Sequence, residues 1–217
     1  MLKTLFLLSL ILITSCTGKI KQSIKDAKYN AYEMIGYEKR DLFKNKVKTV
    51  KNNQEDTQEA FADALSKIQA LYSFDGGKIE HEYNKLKNAY ENSFEEAEGL
   101  RESIKKLSDI AQDLFSEWQN EITKISRSDL QKKSSYKLTE TKQKYAVLYQ
   151  KLQHSEKQMS PLLTKINDQV LYLKHNLNAA AIAGLEKEGD RIEQDIKKLI
   201  ADMKASHKEA DEFIQTL

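Results

Sequence analysis

An apolar residue recurs every three or four positions over a long stretch of this chain, from Ile79 to Ile125. Thirteen steps cover 46 residues, so the mean step is about 3.5 residues, the repeat of a left-handed coiled coil. At about 1.5 Å per residue, such a helix would be roughly 70 Å long, too long for a compact globule. We call each apolar stripe a seam. A second seam runs from Ile182 to Leu217, where only Gly189 and Ser206 interrupt it.

Two other stretches carry the same spacing less regularly. The stretch from Ile20 to Tyr72 is predicted to be helical, although a polar segment from Lys51 to Glu59 interrupts it. The stretch from Leu138 to Leu177 keeps its apolar phase across Pro161, the only proline of the chain. A proline inside a helix costs about 3 kcal/mol, but it suits the first turn of a new helix. Because the phase does not shift, we favour one kinked helix over two helices.

Short polar breaks separate the four stretches. The chain can reverse at 73–77, which contains two adjacent glycines, at 126–128, where a serine can cap the next helix, and at 176–178. Short connections make neighbouring helices antiparallel, so we predict an all-α fold, an elongated up-down-up-down four-helix bundle forming one domain over 16–217. One proline and seven glycines disfavour a turn-rich β fold. We expect the tyrosines and Trp118 to lie in the core.

The first fifteen residues are typical of a secretory signal peptide. One early lysine, Lys3, precedes an apolar run from Leu5 to Ile13. A run of this length is too short to cross a bilayer as a helix, which takes about twenty residues. Cleavage is therefore expected after residue 15.

The only cysteine follows this run directly, in a motif that resembles the bacterial lipobox: Ile13, Thr14, Ser15 and Cys16. In that motif the cysteine thiol is joined to diacylglycerol and becomes the mature N-terminus. We therefore expect an exported lipoprotein, held at a membrane by acyl chains at Cys16. Because residue 17 is not aspartate, the lipoprotein sorting rule favours the periplasmic face of the outer membrane in a cell with two membranes.

The charge balance argues against nucleic acid as a partner, because 35 basic residues oppose 33 acidic ones. Four lysines follow the anchor closely and could attract anionic lipid headgroups or simply form a solvated helix face: Lys19, Lys21, Lys25 and Lys28. Residues exposed along the seams also allow homo-oligomers.

No arrangement of residues in the sequence indicates catalysis, a metal or another cofactor. The segment from Asp75 to Ile79 lacks the first glycine and the final hydroxyl of a phosphate-binding loop. The four histidines are dispersed and are expected at the surface or at seam edges: His81, His154, His175 and His207. The Glu-x-x-His pairs of a di-iron bundle do not occur.

Three segments depart from ordinary coiled-coil composition. The first holds a glycine amid dense charge: Tyr32, Gly36, Glu38, Lys39, Arg40 and Asp41. The other two are the breaks at the end of the bundle away from the anchor: Phe74, Asp75, Gly76 and Gly77, then Lys174, His175, Asn176 and Asn178. Close helix packing at Gly36 and capping at the breaks would explain these residues structurally.

These segments, which read YEMIGYEKRDL, FDGG followed by YNKL, and QVLYLKHNLNA, closely resemble the bacterial envelope family DUF2959, of unknown function. The resemblance implies an exported helical protein and assigns no catalytic residue. We expect a non-enzymatic structural or adaptor lipoprotein that presents its distal breaks to a protein partner in the envelope. The alternative is a ligand- or lipid-binding bundle whose core is thinned at Gly36, Gly184, Gly189 and 179–181. A coiled-coil accessory of a DNA-repair ATPase is the least favoured.

Overall fold

The computed structural model describes residues 39–73 and 79–217, and within them it contains four long helices and no strand. Residues Phe43–Leu217 form one compact unit, to which the contacts below belong. The predicted all-α fold is confirmed, because the contacts between the helices fit a four-helix bundle. The helices are α1 (Lys39–Tyr72), α2 (Ile79–Thr123), α3 (Ser128–His175) and α4 (Ala179–Thr216).

Helices α1 and α4 run antiparallel. Gln54 Nε2 donates a hydrogen bond to Ser206 Oγ over 2.8 Å. Fifteen residues further along α1, Gln69 Nε2 donates to Glu193 Oε2 over 2.9 Å. The later residue of α1 thus contacts the earlier residue of α4. This order is that of an antiparallel pair.

The same order relates α3 to α4 and α1 to α2. Lys151 contacts Glu209 over 2.6 Å, and Lys165 contacts Asp195 over 2.7 Å. Between α1 and α2, Asn53 Nδ2 donates to Ser103 Oγ over 2.7 Å, while Ser93 Oγ donates to the Ala60 carbonyl over 3.0 Å. Each helix is thus antiparallel to the next in sequence, and α4 closes on α1.

The seam of α2 is buried at most of its predicted positions from Tyr83 to Ile122, whereas Tyr90 and Trp118 are half-buried and Phe94 is exposed. Phe94, which the spacing places in the seam, leaves 48% of its surface exposed, and Ser93 is buried instead. The Ser93 hydroxyl reaches the Ala60 carbonyl, so a small polar residue fills the position where α2 approaches α1. The prediction for Phe94 was wrong because spacing alone does not distinguish adjacent residues.

The helix of the first stretch continues through its polar segment without a break. Gln54 and Thr57 are buried at seam positions of α1, between Val50 and Phe61. The predicted helix is confirmed from residue 39 onward, and residues 20–38 lie outside the described part of the chain. Polar residues in this seam mark hydrogen-bonded contacts with the neighbouring helices.

Two predictions about helix boundaries had different outcomes. Helix α3 passes through Pro161 as one helix, as the unbroken apolar phase indicated. The predicted serine cap at 126–128 was wrong, because Arg127 occupies the N-cap position and makes no capping hydrogen bond with its side chain. Its guanidinium instead binds the carboxylate of Asp129 over 2.8 Å.

An aromatic cluster fills the core at the end where α1 and α3 begin. Phe43 is buried between three rings, with centroids 5.5 to 5.8 Å away: Phe115 of α2, Tyr145 of α3 and Phe213 of α4. The expectation that the tyrosines share the core holds only in part, because Tyr136 and Tyr172 are exposed. Trp118 is half-buried, and its indole nitrogen donates to Ser134 Oγ over 3.1 Å.

None of the helices in the described residues has a stretch long and apolar enough to cross a membrane.

Candidate functional site

The connection between α3 and α4 is the predicted site that the structure describes most fully. Helix α3 ends at His175, and the backbone N–H of Asn176 donates to the Leu173 carbonyl over 3.1 Å. The Asn176 side chain also donates to the Tyr172 carbonyl over 2.9 Å. Asn176 therefore satisfies carbonyl groups that the end of a helix leaves unpaired.

Asn178 begins the next helix. Its side-chain oxygen accepts a hydrogen bond from the Ala181 N–H over 3.0 Å, the usual role of an asparagine at the N-cap. Its own N–H donates to the Asn176 carbonyl over 2.9 Å. Both asparagines thus have structural roles, because each one pairs a backbone group at a helix end. Lys174 and His175, the other two predicted site residues here, have exposed side chains.

Two large apolar residues lie exposed beside this connection, on the last turns of α3. Leu171 is 49% exposed and Tyr172 is 45% exposed, while Val170 and Leu173 take the buried seam positions. We define the surface formed by Leu171, Tyr172, Lys174 and His175 as the distal tip. The sequence contained a signal for the first two, because they are adjacent apolar residues between seam positions, but they were not among the predicted site residues.

Below the distal tip, a tyrosine fits against a glycine. The Tyr72 hydroxyl donates to Gln169 Oε1 over 2.8 Å, across the bundle from α1 to α3. Burial raises the pKa of Tyr72 to about 12, so the phenol keeps its proton at neutral pH. A Cβ atom at Gly189 of α4 would lie 2.6 Å from Cζ of the Tyr72 ring. The expectation that Gly189 leaves a space in the core was wrong, because the ring fills it.

Several predicted site residues lie outside the described part of the chain. They are the lipobox with Cys16, the helix residues Tyr32, Gly36 and Glu38, and the turn residues Phe74, Asp75, Gly76 and Gly77. Lys39, Arg40 and Asp41 form the first turn of α1. The structure therefore brings together the predicted residues of one connection, 174–178.

An open groove of about 500 Å³ lies between the outer faces of α3 and α4. Val147 and Lys151 line it on α3, and Asp202 and Ala205 line it on α4. His154, also at this groove, accepts a hydrogen bond at Nε2 from Gln158 Nε2 over 2.6 Å. No group of three or more residues suited to hold a metal ion occurs within residues 39–73 and 79–217.

The four histidines lie where the sequence placed them. His81, His154 and His175 are exposed, whereas His207 lies at the edge of the α4 seam beside Ser206. Burial lowers the pKa of His207, although the carboxylate of Glu55 opposes this shift. The imidazole is within 3.3 Å of the Gln58 amide.

Comparison with known proteins identifies one family. The model of the family described as "Protein of unknown function (DUF2959)" matches residues 28–217. No curated protein and no solved structure matches the chain.

Proposed function

The chain belongs to the DUF2959 family, and we propose that it is a bacterial envelope lipoprotein that acts as a non-enzymatic adaptor. In this proposal acyl chains on Cys16 hold the protein at the periplasmic face of the outer membrane. The helical bundle presents its distal tip to a protein partner in the envelope.

The observation that carries the adaptor role is the composition and geometry of the distal tip. Leu171 and Tyr172 expose apolar surface next to the charged or polar side chains of Lys174 and His175. An exposed apolar patch with a polar rim is typical of protein interaction sites. Tyrosine is also enriched among the residues that contribute most to binding at such sites.

The connection behind the distal tip is suited to presenting this surface. Asn176 closes the end of α3 and Asn178 caps the start of α4, so little conformational entropy remains to be lost on binding. Directly below, the Tyr72 ring spans from α1 to Gln169 of α3. The helices that carry the tip are thus tied together at the level where a partner would bind.

The length of the helices supports a role in which the binding surface lies far from the other end of the bundle. Helix α3 has 48 residues, which corresponds to about 70 Å at 1.5 Å per residue. Contacts with the antiparallel neighbours run along this helix from Ser134, which binds Trp118 of α2, to Lys165, which binds Asp195 of α4. A binding surface at its C-terminal end would therefore keep a fixed orientation at a distance from the other end.

The proposal is tested by photo-crosslinking in cells. A photoreactive amino acid is placed at Tyr172 or at Asn176, with Lys105, an exposed residue near the middle of α2, as the control position. A discrete protein adduct from the first two positions, and not from Lys105, is the expected result. The adaptor role is wrong if a properly folded, membrane-bound protein gives no tip-specific adduct.

The lipid anchor needs its own test, since it depends on a different part of the chain. Labelling with a radioactive or clickable fatty acid is expected to mark the protein, and Cys16→Ser is expected to abolish the label. Ser15→Ala keeps a small residue before the cysteine and serves as the matched control. Label that persists in Cys16→Ser would refute the anchor.

A further inference from the structure

At the end of the bundle opposite the distal tip, α2 and α4 end at different levels. Phe43, Phe115 and Phe213 meet at one level of the core. From that level α2 continues for eight residues to Thr123, about 12 Å, whereas α4 continues for three residues to Thr216, about 5 Å. The hairpin of α2 and α3 therefore projects beyond the end of α4.

This projecting hairpin is strongly basic. Residues 124–137 contain five basic residues and one acidic residue, for a net charge of +4, although the entire chain carries only +2. The five basic side chains are all exposed: Lys124, Arg127, Lys132, Lys133 and Lys137. Arg127 is paired with Asp129 and Lys137 with Glu140, while the other three form no ion pair with a described residue. We call residues 124–137 the basic end.

The basic end also exposes apolar side chains. Leu130 is 43% exposed and Tyr136 is 74% exposed, the largest exposed fraction among the large hydrophobic residues of the described chain. Both lie within the first three turns of α3, interspersed with Lys132 and Lys133. Basic residues around a tyrosine and a leucine are typical of surfaces that rest at the headgroup level of a bilayer.

The position of the basic end agrees with such a contact. Helix α1 enters the core at Phe43, on the same level as the rings of Phe115 and Phe213. Cys16, the proposed site of lipid attachment, precedes Phe43 by 27 residues in the sequence. The first residues of α1 in the core therefore lie at the end of the bundle where α2 and α3 are joined.

We propose that the basic end is a second membrane contact, which binds the anionic phospholipid headgroups of the bilayer to which the protein is anchored. This inference rests on the proposed lipid anchor for its location, but the binding itself depends on Lys132, Lys133 and Tyr136. The lysines attract the phosphate groups, and the tyrosine ring enters the interface between headgroups and acyl chains. The contact would hold the bundle at a defined angle to the membrane, which a flexible acyl anchor alone does not.

A tyrosine at each end of α3 provides a matched test of this proposal. The full chain, purified in detergent, carries a photoreactive amino acid at Tyr136 or at Tyr172 and is reconstituted into vesicles. One set of vesicles contains phosphatidylcholine alone, and the other contains equal amounts of phosphatidylcholine and phosphatidylglycerol. Lipid adducts are quantified by mass spectrometry.

We expect lipid adducts at Tyr136 to increase at least about fivefold on anionic vesicles, since each lysine near such a surface adds to its attraction. Charge reversal by K132E, K133E and K137E should return the yield to the level on phosphatidylcholine. The control K187E, K198E and K204E makes the same change in charge with three exposed lysines of α4, and it should retain the increase. Circular dichroism verifies that both triple variants are folded.

The proposal is overturned if adducts at Tyr136 do not depend on anionic lipid, or if Tyr172 gives the same lipid adducts as Tyr136. Adducts at Tyr136 that contain protein instead of lipid would likewise overturn it. These outcomes are separate from failure of the proposed function. Fatty-acid labelling of Cys16 reports on the anchor, and protein adducts at Tyr172 in cells report on the adaptor role.

Discussion

Helix α3 exposes a leucine and a tyrosine at each of its ends, but the two pairs have different surroundings. Leu130 and Tyr136 lie in a fourteen-residue segment, 124–137, with a net charge of +4. Leu171 and Tyr172 lie in a segment of the same length, 165–178, in which two lysines and one aspartate give +1. Similar apolar exposure in different electrostatic surroundings favours different partners. This difference supports the two proposals made above, a lipid surface for the basic end and a protein for the distal tip.

The cores below these two surfaces also differ. At the basic end, Phe43 fills the space between three rings. At the distal end, the Tyr72 ring occupies the room left by Gly189, and its hydroxyl binds Gln169. Packing at the basic end depends on the volume of the Phe43 ring. Packing at the distal end depends on the absence of a side chain at Gly189. Mutations should distinguish these two modes of packing.

The largest effect is expected for Phe43→Ala. Removing a fully buried ring from the aromatic cluster should lower the free energy of unfolding by about 3 to 5 kcal/mol. Phe94→Ala removes the same ring from a half-exposed position and should cost less than about 1 kcal/mol. Chemical denaturation measures both. Equal losses would mean that the ring cluster does not support the core.

The next largest effect is expected when alanine replaces either of two glycines of α4 and the stabilities of the two variants are compared. An added Cβ at Gly189 collides with the Tyr72 ring, whereas at Gly184 it meets nothing within 4 Å. Gly184→Ala should stabilise the protein by up to about 1 kcal/mol, because alanine favours a helix over glycine. Gly189→Ala gains the same preference but overpacks the core, so it should be about 2 kcal/mol less stable than Gly184→Ala. Indistinguishable midpoints of denaturation would contradict the fit of Tyr72 against Gly189.

A smaller effect is expected midway between the ends. Ser206→Ala leaves the buried amide of Gln54 without its partner and should cost about 1 to 2 kcal/mol. Ser155→Ala is the matched control, because that buried hydroxyl binds only a carbonyl of its own helix. The double variant Gln54→Leu with Ser206→Ala should recover most of the loss. Additive losses in the double variant would show that the two side chains do not act as a pair.

The smallest effect concerns pH. Burial lowers the pKa of His207 in the folded protein. Below about pH 6.5 the unfolded chain therefore binds a proton at this residue that the folded protein excludes, so stability falls as the pH decreases. His207→Gln should reduce the loss of stability between about pH 7.5 and about pH 5.5. Denaturation midpoints at both pH values measure this change.

Two features keep the pH experiment specific. His154, which is exposed, provides the control His154→Gln, and that variant should retain the pH dependence of the natural protein. Hydrogen bonds from Lys144 and Lys137 lower the pKa of Glu140, which shifts it further away from this range. A pH dependence unchanged in His207→Gln would contradict the assignment to that imidazole.

The sequence allowed most of the fold to be predicted, because the 3.5-residue spacing continues over whole helices. It also marked two interruptions in the α4 seam, Gly189 and Ser206, and a polar segment in the first stretch. The sequence did not reveal that the interruptions in the α4 seam contact residues of the first stretch. In the structure Ser206 faces Gln54 and Gly189 faces Tyr72, so both interruptions lie at contacts between α4 and α1.

Such a match depends on the register between helices distant in sequence, which the spacing within one helix does not determine. The same limit explains Phe94 and Ser93, where the neighbouring α1 carbonyl selects the serine for the seam. Of the candidate site, sequence reasoning located the connection at 174–178 but missed Leu171 and Tyr172. Their exposure follows from the phase of α3, which buries Val170 and Leu173.

If the two ends of the bundle meet different partners, photo-crosslinking in one population of cells should separate them, with probes at Tyr136, Tyr172 and Lys105. We expect phospholipid adducts from Tyr136, a discrete protein adduct from Tyr172 and neither from Lys105. The same adducts from both tyrosines, or none above those from Lys105, would show that the two ends do not differ in this way.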